Sequence, residues 1–114
     1  MKKLLFPLVF ASCFAGWRFA QAHPPSDIRA SFDPGTHLLE LRVVHDTRDT
    51  LKHFIERVEV RVNDGAWITQ VFFSQESKPE QKAVYLVMDL KTGDAVTIEG
   101  RCNVHGKKTK TINI

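Results

Sequence analysis

Seven short stretches, each apolar or alternating between apolar and polar residues, constrain the fold of this 114-residue chain more than any other feature. They span residues 28–32, 38–44, 54–62, 67–73, 83–90, 95–100 and 108–114. Turn sequences such as DPGT at 33–36 and NDG at 63–65 separate them, because Pro, Gly, Asn and Asp favour the backbone angles of tight turns. Turn signals about every 8–12 residues are typical of an antiparallel β-sandwich. The sequence therefore predicts an all-β domain, an immunoglobulin-like sandwich of about seven strands.

The pattern also predicts local features of these strands. Residues 54–62 alternate with one slip near Arg57, which indicates a β-bulge. SQESKPEQ at 74–81 is expected to be a polar loop, and the lysine-containing stretch at 108–114 is typical of an edge strand.

The amino-terminal 22 residues have the three-part pattern of a secretory signal. A basic start, MKK, precedes an apolar run, and the small residues of AQA end at Ala22, where signal peptidase would cleave. The predicted organisation is a signal peptide over 1–22 and one domain over 23–114, in a periplasmic or secreted protein. The apolar run is too short to make a good spanning helix, so no membrane span is expected after cleavage. Cys13 follows FAS, which leaves a lipid-anchored form as the alternative.

The formal net charge of +3 comes from the predicted signal. Of the 16 Lys and Arg residues, Lys2, Lys3 and Arg18 lie in it, so residues 23–114 carry equal numbers of basic and acidic residues. A basic isoelectric point that belongs to an export signal gives no electrostatic reason for nucleic-acid binding. We expect no nucleic-acid partner.

Cysteine usage raises a question about Cys102. Of the two cysteines, Cys13 would leave with the signal, so no intramolecular disulfide is expected after cleavage at Ala22. An unpaired thiol in an oxidising compartment is expected to be buried, paired between chains or bound to a metal.

Four of the five histidines fall at predicted strand boundaries or in loops, namely His23, His45, His53 and His105. The loops of a sandwich cluster at its two ends, so these side chains have the opportunity to meet. In CNVHG, residues 102–106, two residues separate Cys102 from His105, and Asn103 and Gly106 suit the unusual backbone angles that a tight ligand loop needs. Thiolate and imidazole are both ligands of iron, copper and zinc. A buried thiol beside a surface imidazole is the alternative interpretation of this pair.

Two separated motifs resemble one known family. CNVHG is similar to the Cys-Asn-Ile-His-Gly signature of superoxide reductases, the neelaredoxin and desulfoferrodoxin iron domains. VHDTRDTLKHFIERVEVRVNDG, residues 44–65, is similar to the other signature of that family, in which a second histidine opens an aromatic-Ile-Glu strand. The motifs occur in the family's order, and the resemblance covers most of residues 40–114.

The resemblance implies a mononuclear non-haem iron centre. Its equatorial ligands would be His23, His45, His53 and His105, its axial ligand would be Cys102, and the position opposite the sulfur would be open for superoxide or another small anion. An electron donor of unknown identity would restore the ferrous state.

The chain differs from the family pattern around these residues. The Glu-Lys pair that usually precedes the first histidine is replaced by Gln-Ala, Asp46 follows His45 where the family has Pro, and the loop to His53 is two residues longer. These differences weaken the expectation of superoxide turnover more than the expectation of metal binding.

Three functions from different classes follow. The first is an exported iron oxidoreductase similar to superoxide reductase. The second is a copper-binding or carrier module without turnover, in which an amino-terminal His23 would offer both its amine and its imidazole. The third is an immunoglobulin-like interaction domain without a metal. No catalytic residue is predicted.

Overall fold

The computed structural model describes residues 23–114, which form seven β-strands and no helix. The strands are β1 (Asp27–Asp33), β2 (Leu38–Val44), β3 (Ile55–Val62), β4 (Ile68–Val71), β5 (Glu80–Leu86), β6 (Ala95–Cys102) and β7 (Lys107–Asn113). The predicted signal segment, residues 1–22, and Cys13 within it lie outside the described residues. The expectation of an all-β domain with about seven strands is confirmed.

The strands form two antiparallel sheets. Three strands are ordered β1-β2-β5, and four are ordered β4-β3-β6-β7. The bulge predicted near Arg57 is present, because the β3–β6 register shifts between Ile55 and Arg57. The carboxy-terminal strand lies at the edge of its sheet, as its sequence predicted.

The strand boundaries differ from the sequence prediction by up to four residues: β4 spans only Ile68–Val71 instead of 67–73, and β5 ends at Leu86 rather than at 90. β5 begins at Glu80 rather than at 83, because Glu80 pairs with Val44 and Gln81 with Val43 across the sheet. β6 continues to Cys102, which pairs with Ile55. The second extension fixes the cysteine at a strand end.

The interior is formed by the inward-facing residues of both sheets. Burial of such side chains contributes about 1.5–3 kcal/mol each. Gly100 of β6 approaches β2 closely, since a Cβ there would lie 2.9 Å from Val43 Cγ1. The Tyr85 hydroxyl donates to the Val58 carbonyl at 2.7 Å and so links β5 to β3. The buried apolar cluster comprises Ile28, Leu39, Leu41, Val43, Ile55, Val58, Val60, Ala83, Tyr85, Val87, Val96 and Ile98.

The strand directions gather several chain segments at one end of the molecule. The beginning of β1 and the end of β2 meet there, because Asp27 pairs with Val44. In the other sheet β3 begins and β6 ends at that place. The loop from residue 72 to residue 79, which connects β4 to β5, completes this end. The predicted ligand residues belong to these segments.

Candidate metal centre

The side chains of His45, His53 and Cys102 form a group that can hold a metal ion. One ligand atom from each lies within 4.8 Å of the others. Metal–nitrogen bonds are about 2.0–2.1 Å and metal–sulfur bonds about 2.3 Å, so donors on opposite sides of one ion lie ~4.3 Å apart. Closing these three donors around an ion therefore needs only small side-chain movements.

His45 enters the site from the end of β2. Its side chain is fully buried, and its backbone N–H donates to the Pro79 carbonyl at 2.9 Å. The alternation of β2 buries Leu39, Leu41 and Val43, and His45 continues that inward row. A polar imidazole buried in this row needs partners for both ring nitrogens.

His53 enters from the loop that precedes β3. Asp49 shapes this loop, since its side chain accepts from the N–H groups of Leu51 and Lys52 and its carbonyl accepts from the His53 N–H at 2.9 Å. The His53 Nε2 atom is buried and has no hydrogen-bond partner. Burial lowers the pKa of the His53 imidazole, and the neighbouring imidazoles of His45 and His23 lower it further. A neutral imidazole has one nitrogen lone pair to offer a metal ion, and a buried ring nitrogen without a hydrogen-bond partner is available for that role.

Cys102 supplies sulfur from the last position of β6. The thiol is buried and forms no disulfide. The Val104 N–H donates to Sγ at 3.4 Å, and Sγ lies 3.9 Å from the side-chain oxygen of Asn103. The Cys102 N–H donates to the Gly106 carbonyl at 3.0 Å and closes the loop. Gly106 has a φ of +79°, so the predicted need for an unusual backbone angle at this glycine is confirmed.

Asn103 joins the two loops that carry His53 and Cys102. Its side-chain oxygen accepts from the Phe54 N–H at 2.9 Å, and its amide group donates to the Lys52 carbonyl at 3.0 Å. Its φ is not positive, so the expectation that Asn103 provides an unusual backbone angle is wrong. It acts through its side chain, which fixes the residues on both sides of His53 relative to Cys102.

His23 lies beside the group. Its ring centroid is 5.1 Å from that of His45 and 5.5 Å from that of His53. The Ser26 N–H donates to the Val44 carbonyl at 2.9 Å, which continues the β1–β2 pairing and leads the chain to the end of the sheet. The His23 side chain is exposed, and its Nδ1 lies 3.1 Å from the Pro24 carbonyl oxygen.

His105 lies in the turn between β6 and β7, with an exposed side chain. It shares the closed loop with Cys102, but the group of convergent donors in the described residues does not include it. Its role as a ligand stays a prediction, as does that of His23.

Gln75 is a site residue that the sequence did not indicate. It lies in the β4–β5 loop with 3% of its surface exposed. Its side-chain oxygen lies 2.9 Å from His45 Nδ1 and accepts from the Ile55 N–H at 3.2 Å, and its amide nitrogen donates to the His45 carbonyl at 2.7 Å. Nothing in a loop read as SQESKPEQ distinguishes this glutamine from its exposed neighbours.

No protein-family model matches the chain, and no curated protein or solved structure shows a significant match to it. The described residues contain no helix long and apolar enough to cross a membrane. The fold and site thus define an all-β protein of two antiparallel sheets with a His45–His53–Cys102 group suited to a metal ion.

Proposed function

We propose that this protein is an exported, mononuclear non-haem iron-binding protein similar to superoxide reductase. The observation that carries the proposal is the convergence of His45, His53 and Cys102 on one point, with the buried Nε2 of His53 unpartnered. These residues come from the two motifs that resemble the family.

The strand order supports an immunoglobulin-like sandwich as the finer description of the fold. In that architecture the first, second and fifth strands are neighbours in one sheet, and the third, sixth and seventh in the other. The orders β1-β2-β5 and β3-β6-β7 agree with this arrangement. β4 pairs with β3 instead of joining β5, which gives the second sheet its fourth strand.

The complete ligand set in this proposal is His23, His45, His53, His105 and Cys102. His23 is close enough for its ring to join after a rotation, since its centroid lies 5.1 Å from that of His45. Gly106 packs against Pro24, which keeps the residue after His23 against the loop that carries His105.

A ferrous ion held there would supply one electron to superoxide, which takes up two protons to become hydrogen peroxide, and an external donor would restore the ferrous state. The protein's own part is to hold the donors and to attract the anion. The Lys107 ammonium group lies 3.0 Å from Glu99, so its charge is already paired. Lys52 is exposed and adjacent to His53, and we assign the attraction of the anion to it.

Metal analysis and absorption spectroscopy of protein purified from its native compartment test this function. Stoichiometric iron and a sulfur-to-ferric charge-transfer band after oxidation are the expected result. Superoxide consumption that falls with added salt would follow from the role of Lys52, because salt screens an exposed charge. Protein that carries no metal and binds none would overturn the proposal and leave an interaction domain.

Copper binding without turnover is the second candidate, favoured by the position of His23. Cleavage after Ala22 would give His23 a free amine as a donor in addition to its imidazole, beside His45 and His53. The affinity order of divalent metals also favours copper over iron at nitrogen and sulfur sites. Tight copper binding without a sulfur-to-copper charge-transfer band, which leaves the Cys102 thiol intact, would select this function over the first.

A further inference from the structure

We propose that Gln75 is a positioning residue that fixes which nitrogen of His45 carries the proton and which faces the site. Gln75 presents an acceptor to Nδ1, so that Nε2 keeps its lone pair for a bound cation. The position of the His45 proton follows from the hydrogen bonds of the protein alone. The effect of that position on metal binding rests on the proposed function.

The orientation of the Gln75 amide is settled by partners that have only one hydrogen-bonding role. The Ile55 N–H, 3.2 Å from the side-chain oxygen, can only donate. The carbonyl oxygens of His45 at 2.7 Å and Ser77 at 2.8 Å can only accept, and they face the amide nitrogen. The reversed amide would place an NH₂ group against an N–H and an oxygen against two carbonyl oxygens.

The tautomer of His45 follows from that orientation. His45 Nδ1 lies 2.9 Å from the Gln75 oxygen, and this oxygen has no proton to give. Nδ1 must therefore be the donor, because a neutral imidazole carries one N–H and one lone pair. The lone pair of the neutral ring is then on Nε2.

In this tautomer of the neutral ring, Nε2 faces a second acceptor. It lies 3.2 Å from the carbonyl oxygen of His23, so in this tautomer two lone pairs face each other. The opposite tautomer would satisfy the His23 carbonyl but would set the Nδ1 lone pair against the Gln75 oxygen. The Gln75 contact is buried and shorter, at 2.9 Å against 3.2 Å for the partly buried contact with the His23 carbonyl, and the Gln75 amide is fixed by the Ile55 N–H and the His45 carbonyl. The Gln75 contact therefore determines the tautomer, and a metal ion bound at Nε2 would remove the repulsion.

Gln75 also couples the two histidines mechanically. Its amide bonds to the backbone of His45 and to the N–H of Ile55, two residues after His53. One buried side chain thus holds the end of β2 against the beginning of β3. Outer-sphere partners of this kind commonly change metal affinity about 10–100-fold when they are removed.

The test replaces Gln75 with methionine, which has similar length and no acceptor amide. Gln81→Met is the matched control, because Gln81 is also buried and hydrogen-bonded but bonds only to the backbone of Glu76 and Lys82. The first measurement is nitrogen-15 NMR of the His45 ring in metal-free protein, at about pH 8.5, above the ordinary histidine pKa of about 6.5. The expected result is a proton on Nδ1 in wild type and Gln81→Met, and on Nε2 in Gln75→Met.

Wild-type protein with the His45 proton on Nε2 would overturn the proposal even if Gln75→Met failed to fold. A folded Gln75→Met protein that keeps the Nδ1 proton would overturn it as well. Neither result depends on whether the protein binds iron, so failure here is distinct from failure of the proposed function.

The second measurement is the affinity for Co(II) ions, followed by their absorption. We expect Gln75→Met to bind about 10–100-fold more weakly than wild type and Gln81→Met to bind like wild type. Equal affinities in all three proteins would overturn the metal-positioning role. Absence of Co(II) binding in the wild type would count against the metal site itself, while the NMR result would still decide the tautomer.

Discussion

Gly106 and Pro24 touch so closely that no side chain fits between them. A Cβ built on Gly106 would lie 2.8 Å from Pro24 Cβ, and the φ of Gly106 is +79°. The contact sets the loop after Cys102 directly against the residue that follows His23. Two segments at opposite ends of the described chain therefore position each other beside the site.

Gly106→Ala is expected to destabilise the protein and to weaken metal binding. The new methyl group would strain the backbone and push Pro24, and with it His23, away from the site. Gly93→Ala is the matched control, since Gly93 has a φ of +98° but open space around its Cβ position. Chemical denaturation should show a loss of about 1–2 kcal/mol for Gly93→Ala from the left-handed backbone alone, and a larger loss for Gly106→Ala. Equal losses, with unchanged metal affinity in both, would contradict the role assigned to this contact.

Cys102→Ser should abolish the sulfur-to-ferric charge-transfer band and weaken iron binding by about 10–100-fold or more, a magnitude scaled up from outer-sphere effects. The serine hydroxyl fits the same space but does not supply a thiolate ligand. Cys102→Ala should lower the free energy of unfolding mainly in the metal-loaded protein, because the metal-free protein loses only a small buried side chain. Calorimetry of loaded and metal-free protein measures the difference. Similar losses in both forms with full metal content would make Cys102 a core residue only.

Asn103→Ala should separate the two loops that it joins. The substitution leaves the partly buried Phe54 N–H without its partner, at a cost of about 1–3 kcal/mol, whereas water can replace the partner of the exposed Lys52 carbonyl. Metal affinity should fall together with stability, because the loops carry His53 and Cys102. Asn113→Ala, at an exposed asparagine of the edge strand β7, provides the control and should change neither quantity. An Asn103→Ala protein with wild-type affinity would show that the loops hold their positions without this clamp.

Tyr85 should make the protein sensitive to alkali. Burial raises the pKa of its phenol above the ordinary value of about 10. Above that pH the unfolded chain releases the phenol proton while the folded protein retains it, so the free energy of unfolding falls as pH rises. Tyr85→Phe should remove this part of the pH dependence and cost about 1–2 kcal/mol at neutral pH through the lost bond to Val58.

Tyr85 is the only tyrosine of the chain, so the alkaline absorbance change of tyrosinate reports on this residue alone. Absorbance that titrates near pH 10 in folded protein would contradict its burial.

Strands such as β2 and β6 were predictable because buried residues alternate along them with more exposed ones. Alternation along β2 and β3 is visible in the sequence, and the bulge at Ile55/Arg57 appears there as a slip. The early start of β5 was hidden, because Gln81 is polar and yet points inward. Its amide is satisfied by the Glu76 N–H and the Lys82 carbonyl, which allows burial without an exposed partner.

The site was predictable in part. Strand boundaries and the two motifs indicated His45, His53 and Cys102, which the structure brings together. The role of Gln75 was not predictable, because its burial depends on how the loop of residues 72–79 folds over the end of β2. That strand end is far from the loop in the sequence. The role of the Asn103 side chain likewise depends on contacts with a loop about fifty residues earlier in the chain. The residue spacing within CNVHG does not indicate these contacts.

The distribution of the donors over the two sheets has a mechanical consequence. His45 follows β2 of the three-stranded sheet, whereas Cys102 ends β6 of the four-stranded sheet and His53 leads into β3. An ion bound by all three would link one sheet to the other, as an inter-sheet disulfide does in antibody domains, although the described residues contain a single cysteine. Because such an ion binds the folded protein and leaves the unfolded chain, it would stabilise the fold by mass action, by about 2.7 kcal/mol at a free-ion concentration 100 times its Kd. Loss of the ion would then loosen the joint between the sheets, and the core with it, well beyond the site.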